Sequence, residues 1–74
     1  MKFRYFTDAT RKGVKIGVNV DEVERIETAD ADANTTYIIF KRKIYDGDGE
    51  LTFSCIEVAE DFDTVFSRLN TIAE

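Results

Sequence analysis

The sequence predicts an α+β domain in which one C-terminal helix covers a small antiparallel sheet. Phe62, Val65, Phe66, Leu69 and Ile72 recur at i, i+3, i+4 and i+7. At helical pitch they share an arc of about 120°, the width of a core-facing stripe. Upstream, several runs alternate apolar and polar residues and are separated by turn formers, the pattern of half-buried strands. Nothing before the last stripe has a helical period, so the helix must bury its face on strands. The expected order is β-β-β-β-β-α, a five-stranded antiparallel meander forming one domain over residues 1–74. A bulge in its long hairpin would curl the sheet toward a barrel.

Lys2 to Thr7 alternates, with Phe3 and Tyr5 expected inward and Lys2 and Arg4 outward. Phe6 breaks that alternation and is expected to cover an end of the sheet. Asp8 to Gly13 is a hairpin loop. Val14, Ile16, Val18 and Val20 then form the cleanest strand, with Gly17 on its outer face marking a bulge or a close backbone approach. Asn19 to Val23 reads as a short turn capped by Asn19 or Asp21. Glu24 to Ala29, whose only large apolar residue is Ile26, suits an edge strand. Asp30 to Asn34 is a loop. Thr35 to Tyr45 is the longest strand. The Asp46-Gly47-Asp48-Gly49 turn follows, and Glu50 to Ile56 returns with Leu51, Phe53 and Cys55 on one face. The shift of apolar positions from Cys55 to Ile56 and Val58 predicts a bulge there. Asp61 is the expected helix N-cap, and Phe66 the expected centre of the buried stripe.

Composition bounds the function. Seventy-four residues are close to the lower limit for an independent core. A net charge of −5 opposes general binding to nucleic acid or anionic membrane. The single cysteine, Cys55, has no internal disulfide partner and suits a reducing compartment. A strand-like run stands where a secretory leader would carry its apolar segment, and no window is apolar and long enough to span a bilayer. The expected location is cytoplasmic.

No histidine is present, so the chain has no imidazole base and no imidazole zinc ligand. Cys55, without a nearby cation in the sequence, is expected to be a buried structural thiol. Asp30, Asp32 and Asn34 imitate the start of a calcium loop, but Lys41 falls where the bidentate carboxylate belongs. Around Asp46 to Gly49 the same register puts Ile44 and Cys55 at the anchoring positions. No metal, cofactor or small-molecule substrate is expected. Tyr37, Lys41 and Lys43 offer an aromatic and basic strand face that could stack single-stranded nucleic acid.

Asn19 to Glu27 (N-V-D-E-V-E-R-I-E) and Val58 to Leu69 (V-A-E-D-F-D-T-V-F-S-R-L) resemble segments of the small flagellar FlbD-like proteins. Tyr5 to Thr10 is similar to the opening of small phage-encoded proteins of this pattern. The hairpin at Lys41 to Thr52 is longer than that family's usual turn. The resemblance implies a compact sheet with a C-terminal helix and a non-enzymatic role, and it carries over no functional residue.

The expected function is therefore protein contact without catalysis, through self-association or another protein. The alternative is an accessory nucleic-acid binder using Tyr37, Lys41 and Lys43. A length mismatch locates the expected contact. Eleven extended residues from Thr35 to Tyr45 span about 37 Å, whereas the helix spans about 16 Å. The far end of the hairpin, with Ile44, Tyr45, Leu51 and Phe53, is left for a bulged closure or for a dimer partner.

Overall fold

A computed structural model describes residues 2–29 and 34–70. Within them the chain forms β1 (Phe3–Thr7), β2 (Lys15–Asn19), a 3-10 turn (Val20–Glu22), β3 (Val23–Thr28), β4 (Thr36–Tyr45), β5 (Leu51–Val58) and α1 (Phe62–Asn70). Every strand pairing is antiparallel, but the strands make two sheets rather than one meander: β1-β2, and β3-β4-β5. Neither sheet closes into a barrel.

The break falls between β2 and β3, and its cause is local. Asn19 is extended (φ −79°, ψ 110°) and its side chain accepts a hydrogen bond from the Asp21 amide. One tight turn of Val20–Glu22 follows, and the chain leaves β2 for the other sheet rather than folding back beside it. Contact between the sheets is made instead by the ends of β1 and β5. Asp8 bridges Val58, the Ala9 amide donates to the Glu57 carbonyl at 3.1 Å, and the Ala59 amide donates to the Thr7 carbonyl at 2.7 Å.

The core lies between the two sheets and α1. Phe6 from β1, Val18 from β2, Ile38 from β4, Val58 from β5 and Val65 from α1 form one buried cluster. Ile16, Val23, Ile26, Phe40, Ile56 and Leu69 pack around it. This inverts the expected facing of β1. Phe6 is buried, whereas Phe3 and Tyr5 are 49% and 69% exposed. The register explains the inversion. Phe6 is opposite Ile16 and Arg4 opposite Val18, and directly opposed residues share a face. The inward residues of β2 therefore draw Phe6 and Arg4 with them. Tyr5 falls opposite Gly17, with its ring about 3.7 Å from where a Cβ would stand. Gly17 marks neither a bulge nor a close backbone approach: its pairing is regular, and the rings of Tyr5 and Phe3 lie over it at ordinary contact distance.

The helix stripe is also rotated from its expected centre. Val65 is fully buried, Phe62 and Leu69 are half-buried, and Phe66 is 53% exposed. Phe66 lies at one margin of the apolar arc, stacked on Phe62 with ring centroids 6.1 Å apart. Ile72 lies outside the described residues.

Carboxylates fix the two ends that position α1 and the first hairpin. Asp61 caps α1 as expected, accepting from the Thr64 amide at 2.8 Å. Asp8 accepts from the Thr10 amide and hydroxyl, each at 2.8 Å, and pairs with Arg11 at 2.9 Å. Hydrogen bonds to Thr10, from its amide and then its hydroxyl, and to Arg11 hold Asp8 well below the ordinary carboxyl value of 3.8. Thr64, through its hydroxyl and then its amide, lowers Asp61 from the same value. Both folded pKa values lie below the unfolded one, so below about pH 4 the unfolded chain binds more protons than the folded chain. The stability that these two carboxylates contribute is fully present above that value and is lost as pH falls further. Denaturation midpoints measured against pH should show this acid limb, and Asp8→Asn with Asp61→Asn should flatten it.

Candidate interaction surface

The β4–β5 hairpin runs past the rest of the molecule. The pairing of β4 with β3 ends at Val23↔Phe40. From Lys41 onward, β4 pairs among the described residues with β5 alone, and every residue from Lys41 to Thr52 is exposed. Residues 51–56 of β5 have no pairing on their other side among the described residues. The result is a two-stranded ribbon with two open edges. It extends the molecule to 40 × 30 × 22 Å and the radius of gyration to 12.5 Å, against about 11 Å for a compact chain of this length.

An irregularity in β4 marks the base of the ribbon. Ile39 pairs with Cys55 and Lys43 with Phe53. Three residues of β4, Phe40 to Arg42, therefore face Ser54 alone. The expected bulge exists, but it sits in β4 rather than at Cys55 and Ile56 of β5. Phe40 packs against the core opposite Val23, where β3 begins, and the ribbon begins immediately after it. The tip is closed by Asp46. Its carboxylate accepts from the amides of Asp48 and Glu50 at 2.9 Å each, and Gly49 takes φ +80°, a left-handed conformation that glycine adopts without strain.

Register sorts the ribbon's side chains. Lys43 opposes Phe53, and Tyr45 opposes Leu51, so these four share the outer face. Ile44 opposes Thr52 and lies on the other face. The four residues expected at a contact, Ile44, Tyr45, Leu51 and Phe53, are thus together on the ribbon but split three to one between its faces. Tyr45 is 74% exposed and Leu51 56%. Phe53 is half-buried because two cations cover it: Lys43 Nζ lies 5.0 Å and the Arg25 guanidinium 5.8 Å from its ring centre.

Cys55 belongs to this outer face and is exposed. The expectation of a buried thiol fails because the inward positions of β5 are Ile56 and Val58, and Cys55 alternates away from them. The register puts Tyr37 and Lys43 on one face of β4, because their partners Glu57 and Phe53 lie on the same face of β5. Tyr37 is set between Glu27 and Glu57 on its neighbouring strands, Lys41 lies within the irregular segment, and Lys43 is engaged with Phe53.

Two features of the surface were not expected from the sequence. One is a polar clamp. Both oxygens of Glu60 accept from the Thr7 amide, at 3.0 and 3.1 Å, while Arg68 donates to the Tyr5 carbonyl at 2.9 Å. The guanidinium of Arg68 also lies 5.7 Å from the centre of the Phe6 ring. Arg68 ties α1, and Glu60 the turn before it, to β1 across 63 and 53 residues of sequence, and no local signal announces it. The other is a shallow groove of about 330 Å³ between α1 and β3, lined by Val20, Val23, Ile26, Phe66 and Leu69. Among the described residues no group of Cys, Asp and Glu side chains is placed to hold a metal ion. Asp30 and Asp32 of the first calcium-like segment lie outside those residues. No helix among the described residues is long and apolar enough to cross a membrane.

No protein-family model matches the chain, and neither a curated protein nor a solved structure matches it.

Proposed function

We propose that the protein is a non-enzymatic interaction module whose contact surface is the β4–β5 ribbon, and that its first partner is a second copy of itself. The observation carrying this is the ribbon's exposure on both faces and both edges. An isolated two-stranded ribbon is marginal in water, yet this one presents Ile44 on one face and Tyr45 and Leu51 on the other. Open edges of this kind are usually shortened or blocked in a protein that stays alone. The chain also has no histidine to support acid–base chemistry near neutral pH. The carboxylates of Glu27 and Glu57 beside Tyr37 weigh against a nucleic-acid face there.

Sedimentation tests the reading. Wild type is expected to dimerise at high micromolar concentration. Ile44→Glu combined with Leu51→Lys should be monomeric under the same conditions, with an unchanged circular dichroism spectrum, because both positions are exposed. A wild type that stays monomeric contradicts the reading. A folded variant that still dimerises moves the contact off the ribbon, with the groove beside Phe66 as the next surface to test.

A further inference from the structure

The ribbon's charges are ordered along its length. Lys41, Arg42 and Lys43 stand at the stem, and Asp46, Asp48 and Glu50 at the tip. Between them lies the apolar Tyr45↔Leu51 pair. The order is basic, apolar, acidic, and all of these residues are exposed. A two-fold axis perpendicular to the ribbon lays one copy on the other with its direction reversed, whereas an axis along the ribbon keeps the two parallel. Placed over the Tyr45↔Leu51 pair, the perpendicular axis lays apolar on apolar and the acidic tip of each copy on the basic stem of the other. A parallel alignment would put tip on tip and stem on stem, with like charges facing.

We infer that the protein forms an antiparallel, two-fold dimer through the outer faces of two ribbons, with each acidic tip docked on the partner's Lys41–Lys43 stem. This rests on the ribbon being the contact surface, and it adds orientation and a charge code to that reading. Complementary charge of this kind fixes register and rejects wrong partners more than it adds affinity. It also explains why a chain with a net charge of −5 can meet its own copy. The facing patches are opposite in sign even though the two molecules repel overall.

Charge reversal tests the arrangement. Asp48→Lys with Glu50→Lys makes tip and stem both basic. Lys41→Glu with Lys43→Glu makes both acidic. Asp46 is left alone because its carboxylate closes the turn. Each variant by itself should associate at least about tenfold more weakly than wild type. An equimolar mixture should form a one-to-one heterodimer, because every tip then meets a stem of opposite sign. Wild-type association should weaken between about 0.1 M and about 1 M salt. If wild type dimerises, Ile44→Glu with Leu51→Lys abolishes the dimer, and mixing the charge variants restores nothing, the antiparallel arrangement is wrong and the ribbon reading survives. If wild type does not dimerise, both fall together. Circular dichroism of each charge variant confirms that loss of association is not loss of fold.

Discussion

Phe6→Ala is expected to leave the chain largely unfolded at room temperature. Phe6 is 1% exposed and packs with Val18, Ile38, Val58 and Val65, residues drawn from four other elements. Truncating a buried phenylalanine to alanine costs about 3–5 kcal/mol. A single core in a domain of this size supplies about the same amount in total. Phe66→Ala provides the contrast. Its ring is 53% exposed and has Phe62 as its stacking partner, so its loss should cost about 1 kcal/mol and leave a cooperative melt. Thermal unfolding of the two variants side by side decides the matter. A larger loss from Phe66→Ala than from Phe6→Ala would mean that α1 is rotated about its axis relative to this description.

The second large effect is expected at Glu60. Its side chain is 15% exposed, and both its oxygens share the single N–H of Thr7. Glu60→Ala removes both acceptors and leaves a partly buried amide unpaired, a loss of about 2 kcal/mol. The Arg68 contact adds little by itself. Arg68 Nη1 lies 3.4 Å from the Glu60 carboxylate and the arginine side chain is 46% exposed, so the ion pair is weakened by solvent. Glu60→Gln, which keeps one acceptor oxygen, should recover part of the lost stability. Urea denaturation gives the values, with an unchanged slope expected because the surface exposed on unfolding is the same. A Glu60→Ala variant as stable as wild type would show that the clamp does not hold α1 to β1.

Much of the fold was legible because period-two and period-3.6 patterns report burial directly. The order of elements, the Asn19 and Asp61 caps, the β3 edge and the long hairpin all follow from such local signals. The sheet division did not, because whether β3 returns beside β2 depends on the direction in which one short turn sends the chain. The facing of β1 was misread from its aromatic residues, although β2 carried the answer. With Ile16 and Val18 inward and Gly17 outward, the register decides which of Tyr5 and Phe6 is covered. Phe66 was misread for a related reason, since an arc's margin and its centre look alike in a spacing pattern. The ribbon residues were found from length alone. Their division between faces follows from alternation along the strand, which sets Ile44 on the face opposite to its neighbour Tyr45, and from the pairing of Tyr45 with Leu51. The Glu60–Thr7 clamp joins distant segments and had no signal at all.

Amide hydrogen exchange at two protein concentrations tests the ribbon most directly. If its contact surface is the ribbon, amides in residues 41–45 and 51–55 should exchange more slowly at high concentration than at low, while β1, β2 and α1 remain unchanged. Exchange that does not depend on concentration would contradict self-association, and slowing confined to β3 and α1 would place the contact at the Phe66 groove instead.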